Sequence, residues 1–170
     1  MSEGIALPKV ARGTLQLLAA RIERLDAALP QIRAAVEGET NDVALQATIA
    51  ALFWETFAQA SWCGFYRRID ERTLAVGPYQ GPMGCLRIDL ARGVCGAAAR
   101  TNEVQLVPDV EKFPGHIACD DSTKSELVVP VTNADGYVTA VLDLDSHALD
   151  AFSREEADRV SRFLTEVFGR

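Results

Sequence analysis

The feature that most restricts the fold is a pair of β-prone runs, Glu126 to Val131 and Tyr137 to Leu144, separated by Thr132-Asn133-Ala134-Asp135-Gly136. A gap of turn-forming residues that short closes as a hairpin, so the two strands pair antiparallel. The same pattern occurs upstream. From Ser61 to Ile69, Trp62, Gly64, Tyr66 and Arg68 alternate with Cys63, Phe65, Arg67 and Ile69, and after Asp70-Glu71-Arg72 a second run follows from Thr73 to Gln80. Two hairpins, with short extended pieces at Leu86 to Leu90 and Val104 to Val107, predict a mainly antiparallel sheet.

Helical periodicity frames these strands. Leu15, Leu18, Ala19, Ile22, Leu25 and Leu29 form one apolar stripe between Val10 and about Leu29, which Pro30 is expected to interrupt. Leu45, Ile49, Leu52, Phe53 and Phe57 form a second stripe over Val43 to Phe57, after the capping residues Thr40, Asn41 and Asp42. Gly93 to Arg100 predicts a short Ala-rich helix. Ser153 with Glu156 makes a capping box ahead of Ala157, Val160, Phe163, Leu164, Val167 and Phe168, a C-terminal amphipathic helix. The order αα-ββ-β-α-β-loop-ββ-α is an α+β architecture with helices packed on the sheet. The stretch Pro108 to Lys124 is rich in turn formers, and a loop of that length within a compact domain is usually functional.

Length and charge narrow the function. The 170 residues suit one domain over 1–170, with residues 1–9 expected to be a flexible N-terminus. A net charge of −7, with scattered rather than clustered basic residues, argues against a nucleic-acid partner, since such affinity rests on Lys and Arg neutralising phosphates. Neither a secretory signal nor a membrane-spanning apolar run is evident, which gives a cytoplasmic expectation with no membrane partner. In that compartment the four cysteines are not expected to form a structural disulfide framework.

Several residues have chemistry to offer. Cys119 sits in the long loop, three positions after His116, where a thiolate could be stabilised by backbone N–H groups or a cation; an inert loop thiol is the competing reading. Cys85 and Cys95 are separated by nine residues, a spacing that matches neither a zinc knuckle nor a C-x-x-C redox pair, so no metal and no cofactor are expected. Cys63, inside a strand, is read as a small buried hydrophobe. Asp143 and Asp145 share a strand face, where two close carboxylates would raise one another's pKa, and Glu126 on the preceding strand could join them; a plain strand end with turn capping competes with this. Trp62 and Tyr66 also share a face and could wall an apolar pocket or simply pack in the core.

Taken together, the segments Trp62-Cys63-Gly64-Phe65-Tyr66, Gly77-Pro78-Tyr79-Gln80-Gly81, Gly93-Val94-Cys95-Gly96, Val107-Pro108-Asp109-Val110, Phe113-Pro114-Gly115-His116-Ile117-Ala118-Cys119-Asp120 and Leu142-Asp143-Leu144-Asp145-Ser146 resemble the free methionine-(R)-sulfoxide reductases. The resemblance includes Glu37-Gly38-Glu39-Thr40 and covers roughly residues 15 to 168. It implies a GAF-like fold, usually dimeric, and reduction of free rather than protein-bound methionine-(R)-sulfoxide, an oxidative-stress product, with thioredoxin as reductant. It further implies that Cys119 attacks, that Cys85 is the principal resolving cysteine, and that Cys95 can exchange into the disulfide. By the same resemblance Glu126 and Asp143 act in catalysis with Asp145 beside them, Trp62 and Tyr66 receive the methyl group, and the backbone of His116, Ile117, Ala118 and Cys119 meets the substrate carboxylate. Cys63 and Ser61 depart from the family pattern, where valine and asparagine are expected. The competing readings are a non-catalytic GAF module sensing a small ligand, and a thiol redox sensor, because a fold alone does not fix a function.

Overall fold

A computed structural model describes residues 6–116 and 119–169. Among the described residues six strands form one sheet, in the order Arg87–Asp89, Thr73–Gln80, Trp62–Arg68, Val138–Ser146, Ser125–Thr132 and Gln105–Val107, in which every pairing is antiparallel. Along the chain the elements are α1 (Leu18–Ala35), α2 (Asp42–Thr56), β1 (Trp62–Arg68), β2 (Thr73–Gln80), β3 (Arg87–Asp89), α3 (Gly93–Thr101), β4 (Gln105–Val107), β5 (Ser125–Thr132), β6 (Val138–Ser146) and α4 (Arg154–Phe168). In the long loop, Val110–Lys112 forms a 3-10 turn. No helix among the described residues is long and apolar enough to cross a membrane.

Strand alternation divides the core in two. Cys63, Phe65, Leu127, Val129, Leu142 and Leu144 point to one face, where α1, α2 and α4 cover them with Leu25, Ile32, Ile49, Phe53 and Phe163. Trp62, Tyr66, Val128 and Val141 point to the other, under α3 and the loops. On the first face the Phe53 ring lies 5.6 Å from Phe57 and 5.7 Å from Phe163, a close-packed aromatic cluster.

Local signals place most helix ends. The Asn41 side chain accepts from the Val43 and Ala44 N–H groups and so starts α2. Ser153 and Glu156 complete their capping box at α4. Glu156 is fully buried, but its carboxylate also meets Arg21 at 3.3 Å and the Gln59 amide at 3.1 Å, so the charge is compensated.

The first helix differs from the periodicity reading. It begins at Leu18 rather than Val10 and continues through Pro30 to Ala35. Residues before Leu18 are held elsewhere: the Gly13 N–H donates to Ala58 O at 2.7 Å, and the Arg12 guanidinium lies 3.7 Å from the Trp54 ring centroid while donating to Phe57 O. These contacts satisfy carbonyls just past the end of α2. At the other end, burial of Ala28, Ile32 and Val36 offsets the hydrogen bond that a proline removes. Of the N-terminal segment, Leu7 packs against the helical core and Pro8 accepts a hydrogen bond from Arg24.

Candidate active site

The second face of the sheet opens into a cleft lined by Trp62, Tyr66, Gly84, Cys95, His116, Cys119, Asp120, Glu126, Asp143 and Asp145, among others. Three strands supply its floor. In the β1–β6 register Trp62 lies opposite Asp145 and Gly64 opposite Asp143, and in the β5–β6 register Glu126 lies opposite Asp145. Residues far apart in the chain are thereby gathered on one face.

The aromatic wall depends on a glycine. Trp62 stacks on Tyr66 with ring centroids 5.4 Å apart and on Tyr79 at 5.1 Å. Between Trp62 and Tyr66 stands Gly64, where a Cβ atom would fall 2.2 Å from the Tyr79 Cβ and 2.8 Å from the Trp62 ring. Any larger residue at that position would displace the stack. The sequence reading did not assign Tyr79 to the wall, because its position next to Trp62 depends on a register shift between Gly64 and Tyr66 in the β1–β2 pairing.

The acidic groups form the opposite part of the cleft. Glu126 and Asp143 are each 5% exposed, and the Asp143 Oδ1 atom has no hydrogen-bond partner. Burial pushes the Asp143 carboxyl up to about 7. It also raises Glu126 and Asp145, and in both the neighbouring Asp143 charge adds to the effect. Groups this close titrate as one cluster, which retains protons at neutral pH. The Cys95 Sγ donates to Glu126 Oε1 at 3.9 Å, and burial first, then the Asp143 and Glu126 charges, raise its thiol well above the ordinary range. Cys95 is therefore a poor nucleophile as it stands.

Cys95, Glu126 and Asp143 place ligand-type atoms within 4.8 Å of one another. Burial disfavours the deprotonated, ligating form of all three groups, so a cation there would have to compete with protons. The donor set is better suited to giving or sharing a proton than to ligating a metal.

Cys119 is joined to Cys85 in a disulfide with Cα atoms 5.4 Å apart. The bond links the long loop to the connection between β2 and β3, at the mouth of the cleft. The His116 imidazole lies 3.9 Å from Glu126 through an Nδ1 atom that has no hydrogen-bond partner, and burial lowers its pKa. Its backbone N–H already donates to Phe113 O, so in this conformation it is engaged within the loop. Ile117 and Ala118 lie outside the described residues. Beyond Cys119, Asp120 accepts from the Ser122 N–H and pairs with His147 at 3.0 Å, tying the loop to the end of β6. His147 gave no signal in the sequence, since nothing local relates it to Asp120.

Cys63, by contrast, is fully buried on the opposite face with its Sγ 3.7 Å from Ala50 O. Burial raises its thiol pKa, and the sheet separates it from the cleft.

A GAF-domain family model matches residues 41–167, a span that contains the whole sheet and every cleft residue named above. The chain belongs to the GAF family. Within it, the chain is 39% identical over 139 residues to the free methionine-R-sulfoxide reductase of Saccharomyces cerevisiae, covering 76% of this chain and 77% of that one. It is 38% identical over 134 residues to the enzyme of the same name from Escherichia coli, covering 79% and 80%. The X-ray structure of free methionine-R-sulfoxide reductase from Neisseria meningitidis in complex with its substrate superposes with a TM-score of 0.82 at 34% identity, covering 94% of this chain and 93% of that one.

Proposed function

We propose that this GAF domain reduces free L-methionine-(R)-sulfoxide to L-methionine with Cys119 as the nucleophile. The observation that carries the reading is the meeting, in one cleft, of a Cys85–Cys119 disulfide, an aromatic wall and a cluster of buried, protonated carboxyls. The relatives named for this activity supply the substrate.

In the reduced enzyme the Cys119 thiolate attacks the sulfoxide sulfur while a carboxyl of the Glu126–Asp143 pair protonates the oxygen. The attack forms a bond between the two sulfurs; the protonated oxygen then moves from the substrate sulfur to Cys119 as the S–O and sulfur–sulfur bonds break, so methionine leaves with the electron pair and Cys119 is left as a sulfenic acid. Cys85 then attacks that sulfur, forming the disulfide and releasing water, and a dithiol donor of the thioredoxin class returns both cysteines to thiols. Cys95, held neutral beside Glu126, is the thiol into which the disulfide can exchange.

Trp62 and Tyr66 would receive the methyl group. The acidic cluster, with Asp145, would hold the substrate ammonium, and the loop backbone from His116 to Cys119 the carboxylate. Recognition of both charged ends selects the free amino acid, because a peptide bond removes those charges and leaves the site's polar groups unpaired. The family resemblance extends this reading to a single GAF-type unit acting as a cytoplasmic homodimer in the response to oxidative stress.

The test is consumption of free L-methionine-(R)-sulfoxide beside the S epimer and a peptide-bound sulfoxide, with thioredoxin recycling and a Cys119→Ser control. Turnover of the free R epimer alone, abolished in the control, is the expected result. Failure of the fully reduced protein to turn over any of the three would overturn it in favour of ligand or thiol sensing.

A further inference from the structure

The connection between β2 and β3, residues 81–86, carries Cys85 and rests directly on the aromatic wall. The Trp62 indole Nε1–H donates to Pro82 O at 3.1 Å. The Tyr66 phenol packs against the same connection at Gly84. Gly84 lies flat against both rings: a Cβ there would be 2.8 Å from the Tyr66 hydroxyl and 3.3 Å from the Trp62 ring. Met83 and Leu86 of the same connection are 78% and 64% exposed. Its inner attachment is therefore to the polar edges of two rings whose apolar faces wall the cleft.

We infer that Trp62 and Tyr66 are positioning residues for the resolving step, holding the Cys85 connection within disulfide reach of Cys119 through the indole N–H bond to Pro82 O and the close packing of Gly84 on the phenol hydroxyl. This rests on the assignment of Cys119 and Cys85 as the redox couple. A disulfide requires Cα atoms roughly 4.4–6.8 Å apart, and an exposed connection without attachments would spend little time at that separation. The observed 5.4 Å lies within that window. Cys95 lines the same cleft, but its suppressed ionisation leaves Cys85 as the faster thiol only while Cys85 is kept in place. The wall thus links the pocket for the methyl group to the choice of resolving cysteine.

The test uses peroxide so that substrate binding plays no part. One equivalent of hydrogen peroxide is added to fully reduced protein: the Cys119 thiolate takes one peroxide oxygen as the O–O bond breaks, and the other oxygen leaves as water. Cys85 then displaces the sulfenic oxygen, also as water. Formation of the Cys85–Cys119 disulfide is followed by peptide mass mapping, and the surviving sulfenic acid by dimedone trapping, in the wild type, Trp62→Phe, Tyr66→Phe and the double variant. Both substitutions keep an aromatic ring and remove one polar edge, and thermal midpoints monitor folding.

The expected result is that Cys85–Cys119 formation slows about tenfold in Trp62→Phe, as the loss of one positioning hydrogen bond implies, less in Tyr66→Phe, which removes the hydroxyl that Gly84 packs on, and most in the double. Dimedone-trapped Cys119, or a Cys95–Cys119 disulfide, should rise in proportion. Wild-type rates in all three variants would overturn the inference, as would slowing that merely tracks a fall in thermal midpoint. If the wild type forms the disulfide with peroxide yet reduces no sulfoxide, the proposed function fails while the positioning role stands. If the wild type forms no Cys85–Cys119 disulfide, the positioning role fails.

Discussion

The two faces of the sheet are made from the same strands, often from adjacent residues, yet they differ in composition and cover. On the face under α1, α2 and α4, Phe65, Leu142 and Leu144 are completely buried and packed by helix side chains. One residue along, on the other face, stand Tyr66, Asp143 and Asp145, beneath a nine-residue helix and loops. The closed face buries mostly apolar surface, its buried Glu156 being compensated by Arg21 and Gln59, and this burial is the main source of folding free energy. The open face buries carboxyls that would be costly if ionised, and so keeps protons available to a ligand. Stability and chemistry are thus assigned to opposite sides of one pleated surface.

That division is open to test by substitution, with the largest effect expected on the closed face. Phe53→Ala empties a site that is 0% exposed and should cost about 3–5 kcal/mol of stability by denaturant unfolding. Sulfoxide turnover per folded molecule should nonetheless stay within about twofold, since the cavity lies across the sheet from the cleft. A matching loss of specific activity would show that the two faces are coupled.

Glu126→Gln is the converse experiment. It keeps the shape of the side chain and removes its proton, so kcat/KM should fall about a hundredfold, the usual scale for losing a general acid, with a smaller change in the unfolding midpoint. Undiminished turnover in this variant would remove Glu126 from the proton-donating pair.

A third effect follows from pH. The folded Asp143 pKa is raised to about 7 from an ordinary 3.8, so the native state binds more protons than the unfolded chain between those values. Stability arising from this group is fully present below the lower value and is lost as pH rises through the higher one. The thermal midpoint of the substrate-free protein should therefore decline across that window, and Asp143→Asn should flatten the decline. An unchanged slope in the variant would assign the pH dependence to other groups.

The smallest effect is expected at Cys63, where Cys63→Val changes volume little and should shift stability by less than about 1 kcal/mol with turnover unaltered. A slowed thiol cycle in that variant would contradict the separation of the faces.

Periodicity made the strands and three of the four helices readable because side-chain alternation and helical stripes are local properties. The β2 boundaries agree with the alternating run, and the Ser153 and Glu156 cap marks the start of α4. The start of α1 was not readable from its stripe, since contacts with the end of α2 hold Arg12 and Gly13 outside the helix. Its passage through Pro30 likewise depends on burial against distant elements. In the site, alternation alone placed Asp143 with Asp145 and Trp62 with Tyr66 on shared faces. That Tyr79 stacks on Trp62, that Glu126 lies opposite Asp145, and that His147 reaches Asp120 all follow from strand register and loop path. The sequence by itself determined which residues share a strand face and where most elements begin, because dihedral preference and side-chain direction are set within a few residues. Only the tertiary structure decided which faces meet and how deeply the carboxyls are buried, because distance and desolvation are properties of the packed chain.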